Sequence, residues 1–85
     1  MILCTIYTKD SCPWCVKAKN MLSSLGIKYE ELHLNQEYTK EELMEIVGPD
    51  EALTVPQIIM NGKRIGGFEA LLEYVESHGI MGLQN

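Results

Sequence analysis

The segment Ile2-Leu3-Cys4-Thr5-Ile6-Tyr7-Thr8-Lys9-Asp10-Ser11-Cys12-Pro13-Trp14-Cys15 changes character twice along its length. Ile2 to Tyr7 is short, mostly apolar and partly β-branched, which predicts a buried strand. Thr8-Lys9-Asp10-Ser11 reads as a polar turn. Pro13 then suits the first position of a helix, because the N–H it lacks is one that a helix N-terminus leaves unpaired anyway. Ala18, Met21, Leu22 and Leu25 continue at the spacing of one helical face, and Gly26 stops the helix. Two cysteines one helical turn apart therefore sit where a strand becomes a helix, with Cys12 at the N-cap.

Downstream, Lys28 to Leu34 shifts towards alternation, Leu32 and Leu34 on one face and Tyr29, Glu31 and His33 on the other, which predicts a second strand. Thr39-Lys40-Glu41-Glu42 fits a capping box opening a short second helix that Gly48-Pro49 ends. Gln57 to Met60 and Lys63 to Ile65 flank Asn61-Gly62, the pattern of a two-residue hairpin. Phe68, Leu71, Leu72 and Val75 return to helical spacing, and His78-Gly79 closes this third helix. The order is β-α-β-α-β-β-α. A right-handed crossover makes the first two strands parallel and the hairpin adds antiparallel ones. The expected fold class is α/β, a four-stranded mixed sheet flanked by helices.

A chain of 85 residues suits one compact domain, residues 1–85, without a linker. Its 46% hydrophobic and 22% charged residues are those of an ordinary globular protein. No apolar run approaches the roughly 18 to 20 residues of a membrane span. The start Met1-Ile2-Leu3-Cys4 carries neither a basic leader nor a cleavage pattern, so the expected location is cytoplasmic, with no membrane partner. A net charge of -5 counts against nucleic-acid binding, whose affinity comes largely from neutralising phosphates. Three cysteines cannot all pair internally. In a reducing compartment a close pair points to redox catalysis or to metal.

The chemistry concentrates at Cys12-Pro13-Trp14-Cys15. Unpaired amide hydrogens at Trp14 and Cys15 face the Cys12 sulfur, and the positive end of the helix dipole favours negative charge there. Both effects lower the pKa of Cys12 from about 8.5 towards the range of reactive thiols, roughly 3.5 to 7.5. Cys12 is the expected nucleophile. Cys15, one turn inward, is the expected resolving thiol, placed to attack a mixed disulfide formed on Cys12. The rival reading is half a zinc site. Structural zinc needs four ligands, and Cys4, His33 and His78 are the sequence's other candidates, so no metal site is expected. Cys4 reads as core filler on a buried strand, with a regulatory thiol as its alternative.

Cys12-Pro13-Trp14-Cys15, Thr54-Val55-Pro56 and Gly66-Gly67 occur in the order and approximate spacing of the dithiol glutaredoxins, and the chain resembles that family over nearly its whole length. The resemblance implies a thioredoxin-like fold with a cis Val55-Pro56 bond facing the cysteines, leaving the Val55 backbone free to pair with an extended substrate. It implies an enzyme that reduces protein disulfides and glutathione mixed disulfides. Glutathione is then a co-substrate, with no permanently bound cofactor. Disulfide-bonded or glutathionylated proteins, ribonucleotide reductase among them, are the implied partners of a monomer.

By the same resemblance, glutathione lies along Lys9, Trp14, Thr54, Val55, Pro56, Gly67, Phe68 and Glu69. Some of these have plainer readings: Lys9 as a solvated turn residue, Trp14 as an exposed one, Gly66 and Gly67 as strand breakers. The family often follows Gly-Gly with Ser or Thr and then Asp, whereas this chain reads Phe68-Glu69-Ala70, with Glu69 the available acid near the γ-glutamyl end. Two alternatives share the motif: a redoxin reduced by thioredoxin reductase, and a binding module for an iron–sulfur cluster ligated by glutathione. The rigid Pro13 turn weighs against the second.

Overall fold

The computed structural model describes residues 3–48 and 53–78. Seven elements follow in the expected order: β1 (Cys4–Thr8), α1 (Pro13–Ser24), β2 (Tyr29–His33), α2 (Lys40–Val47), β3 (Gln57–Met60), β4 (Lys63–Gly66) and α3 (Phe68–Ser77). The sheet runs β2-β1-β3-β4, with β1 parallel to β2 and antiparallel to β3, and β3 antiparallel to β4. The hairpin alone did not say which strand β3 would join; it lies beside β1, pairing Ile6 with Ile58.

β1 is central, and its two faces serve two cores. Cys4 and Ile6 face α1 and α3, packing with Ala18, Leu22, Ile58, Met60, Leu71 and Val75. Tyr7 faces the other way, towards α2, where Tyr38, Leu43 and Val47 form a smaller cluster. β2 divides as its alternation predicts: Tyr29 packs against the first cluster, Leu32 and Leu34 against the second. Fully burying a side chain such as Leu22 or Leu71 contributes about 1.5–3 kcal/mol, so these faces fix the register of the whole sheet.

The boundaries move by a residue or two. Ile2 lies outside the described residues, and Leu3 is exposed with its N–H donating to Asn61 Oδ1 at 2.9 Å. Thr8, assigned to the turn from its polarity, is the last residue of β1 and buried, because its hydroxyl has Glu31 as partner. Leu34 falls just beyond β2 and bridges to Tyr38. The α2 capping box is complete, Thr39 and Glu42 each accepting the other's backbone N–H. Pro49 and Gly79 lie outside the described residues. Asn61 and Gly62 both have positive φ, 53° and 81°, as a tight hairpin turn requires. Among the described residues no helix is long and apolar enough to cross a membrane.

Candidate active site

β1 delivers the chain to the reactive pair through a short loop that turns at Ser11, φ 57°. Cys12 is the N-cap of α1, in extended conformation, and its Sγ accepts the Cys15 N–H at 3.2 Å. Pro13 follows as the first helical residue. Cys12 and Cys15 are joined as a disulfide with Cα atoms 5.2 Å apart. Cys12 retains 9% of its surface and Cys15 only 2%, so an incoming thiol reaches the outer sulfur first. The Val55 carbonyl oxygen lies 3.8 Å from Cys12 Sγ, and the Val55-Pro56 bond is cis, as the resemblance implied.

Beside this pair opens a groove of about 380 Å³ lined by Trp14, Thr54, Val55, Pro56, Gly67, Phe68, Glu69 and Ala70. Every binding residue named from the sequence is here except Lys9. Lys9 lines two other hollows, one against the cysteines and one that runs towards Tyr38 and Leu43. Thr54 and Val55 border both the groove and the second of these hollows, and so form a ridge between them.

The groove owes its shape to the start of α3. Trp14 is half exposed, its ring 5.7 Å from that of Phe68, with Lys17 Nζ 4.5 Å above its centroid. Gly66 has φ 122°, and a Cβ there would stand 3.0 Å from that of Ala70. Gly66 therefore does more than break the strand: only glycine fits both the angle and the space. Gly67 is the N-cap of α3 and provides no side-chain cap, leaving the first amides of that helix open at the groove, with Glu69 in the first turn.

Residues 4–65, which include the cysteine pair on its helix N-terminus and the cis-proline turn facing it, fit the sequence model of the glutaredoxins. The chain belongs to the glutaredoxin family. Glutaredoxin 3 of Escherichia coli (strain K12) is 41% identical over 66 residues, 78% of this chain and 77% of that protein. Glutaredoxin 1 of Rickettsia conorii is 36% identical over 69 residues, 80% of this chain and 67% of that one. Among solved structures, glutaredoxin 1 of Francisella tularensis complexed with cacodylate superposes with a TM-score of 0.74 at 26% identity, covering 92% of this chain and 96% of the other. A buckwheat glutaredoxin–glutathione complex gives 0.76 at 25% identity, covering 94% and 74%. The chain is thus a glutathione-dependent thiol–disulfide oxidoreductase with a thioredoxin-like fold.

Several residues that shape this glutaredoxin's site carry no motif. Gln57, buried at the start of β3, donates from Nε2 to the Thr54 carbonyl at 2.9 Å and so holds the turn that presents Val55. Tyr38 is buried and donates its hydroxyl to the Thr8 carbonyl at 2.8 Å, pinning the end of β1 next to the reactive loop. Polar residues at otherwise apolar strand or cluster positions were the available signal. On the far side of the cysteines, Glu31 Oε2 accepts from Thr8 Oγ1 at 2.7 Å and from Lys19 Nζ at 3.0 Å. Burial pushes the Glu31 carboxyl up, but these hydrogen bonds and the Lys19 and His33 charges outweigh it and hold the group below its ordinary value. Cys4 is buried in the main core, and burial pushes its thiol up to about 11, the profile of an inert filler. Among the described residues no three His, Cys, Asp or Glu side chains converge as a metal-ligand set.

Proposed function

We propose that Cys12 is the attacking thiolate of this glutaredoxin, that Cys15 is its resolving thiol, and that the Trp14–Phe68 groove receives glutathione. One observation carries the assignment: the outer sulfur sits on a helix N-terminus and accepts an amide hydrogen, while the inner one is sealed below it. Both features favour charge on Cys12, and the thiolate is the attacking species.

With a glutathione mixed disulfide, Cys12 attacks the glutathione sulfur. The substrate–glutathione bond breaks, the substrate leaves as a thiolate that takes a proton from solvent, and Cys12 is left glutathionylated. A second glutathione thiolate attacks that bond, which frees Cys12 and yields oxidised glutathione. With a protein disulfide, Cys12 bonds one substrate sulfur and releases the other. Cys15 then displaces the remaining sulfur and closes the Cys12–Cys15 bond. Two glutathione molecules supply the two electrons that reopen it.

In the groove, the Trp14 and Phe68 rings offer apolar faces, and Gly67 allows backbone approach. The open amides of α3 suit a carboxylate, as does the Lys9 cation beside Thr54 and Val55. The Val55 backbone suits strand-like pairing with the peptide. On this reading the protein is a single domain over residues 1–85, a monomer of the cytoplasm, where the glutathione pool is reducing. It carries no permanent cofactor and acts on disulfide-bonded or glutathionylated proteins, with ribonucleotide reductase a candidate.

The test couples glutathione and glutathione reductase to two substrates, a glutathione mixed disulfide and a protein disulfide. Cys12→Ser is expected to abolish turnover of both. Cys15→Ser is expected to keep the first and lose the second. Equal loss in both variants on both substrates would overturn the roles.

A further inference from the structure

A hollow of about 490 Å³ opens on the α1–β2 side of the cysteine pair and shares no lining residue with the Trp14–Phe68 groove. Cys12 and Cys15 both border it, with Lys9, Asp10, Lys19 and His33 around them. His33 is the last residue of β2, level with Thr8 of β1. Its imidazole is braced on both sides: Nε2 lies 3.3 Å from Asp10 Oδ1, and Nδ1 lies 3.5 Å from Glu31 Oε2. That glutamate oxygen is the one already held by Thr8 and Lys19.

The charges facing the hollow come from each element packed around it. The loop before Cys12 supplies Lys9 and Asp10, α1 supplies Lys19, and Glu31 stands behind His33 on β2. Glu37, in the turn after β2, is exposed and spends its carboxylate on the His33 backbone N–H at 2.7 Å, outside the lining. Two lysines thus face two carboxylates and cancel. The His33 imidazole adds a positive charge to this balanced set when both ring nitrogens carry protons, the state in which each can donate to its own carboxylate.

We propose that His33 is a positioning residue for disulfide exchange: its imidazolium, braced between Asp10 and Glu31, supplies the net positive charge beside the cysteine pair that favours the Cys12 thiolate under mildly acidic conditions. The interaction exists only while the sulfur is charged, so it stabilises the reduced form over the neutral disulfide. It lets the enzyme keep its nucleophile ionised as the surroundings acidify. The inference rests on Cys12 being the attacking thiol.

The test follows the rate of alkylation of Cys12 by iodoacetamide against pH in the Cys15→Ser background, comparing His33 with His33→Gln and His33→Lys. His33→Gln is expected to move the half-ionisation of Cys12 upwards by about half a unit, which slows alkylation roughly threefold on the acid side and leaves the alkaline plateau unchanged. His33→Lys, with a permanent cation, is expected to match or exceed the parent on the acid side. Coincident curves for His33 and His33→Gln would overturn the inference, and so would an equal slowing at every pH, which marks a merely structural role. A parent thiol of ordinary acidity would instead overturn the assignment of Cys12 itself.

Discussion

The Cys15 amide hydrogen is directed at Cys12 Sγ across 3.2 Å, while the Val55 carbonyl stands 3.8 Å from the same sulfur. The donor favours a thiolate and the carbonyl favours a thiol, so the state of Cys12 turns on which dominates. The N–H contact is the shorter one, and it is reinforced by the helix dipole.

The three thiols of the reduced protein should therefore separate by reactivity. A brief exposure to iodoacetamide at pH 6 is expected to give one adduct, on Cys12, as read by peptide mass spectrometry. Cys15 is nearly sealed, and Cys4 is buried with its thiol held up to about 11. Comparable labelling of Cys4 or Cys15 would contradict the geometry.

Cys4 also makes a prediction about stability. Its thiol rises from 9.0 to about 11 on folding, so between those values the unfolded chain has released its proton and the folded chain has not. The unfolded state then binds fewer protons, and stability falls as pH rises. The advantage is complete below about pH 9 and gone above about pH 11, and a shift of roughly two units corresponds to about 2–3 kcal/mol. Urea unfolding under reductant at pH 8 and pH 11 should show wild type losing about that much more than Cys4→Ala. Equal losses would mean that the folded thiol titrates normally.

Most of the scaffold could be read from local chemistry because its punctuation is strong. Asn61-Gly62 forced a hairpin, the Thr39–Glu42 box opened α2, and Pro13 marked the start of α1. The cysteine pair was legible for the same reason, since an N-cap position is a local property. The rest depended on tertiary neighbours. Thr8 reads as a turn residue until Glu31, 23 positions away, is seen to accept its hydroxyl. His33 is an ordinary strand residue until the β1–β2 pairing brings it over the loop that carries Asp10. The cis bond before Pro56 came from the family resemblance alone, since X-Pro bonds in general are mostly trans.

Gly66 and Gly67 look alike in sequence but differ physically, and substitution should separate them. An alanine at 66 would hold φ at 122° and press its Cβ to 3.0 Å from that of the half-buried Ala70 at the root of α3. Gly66→Ala is expected to cost about 1–3 kcal/mol, visible as a lowered midpoint in thermal or urea unfolding. At position 67 the backbone is ordinary, φ -88°, and a Cβ would meet the Pro56 carbonyl at 3.6 Å, normal contact distance. Gly67→Ala should therefore unfold within about 1 kcal/mol of wild type. Its methyl group would, however, occupy the groove between Gly67 and Pro56, where glutathione is proposed to lie against the backbone. Binding lost equally from ground state and transition state raises KM and leaves kcat unchanged. Gly67→Ala is expected to raise KM for a glutathione mixed disulfide several-fold at nearly constant kcat. An unchanged KM would move glutathione out of this groove.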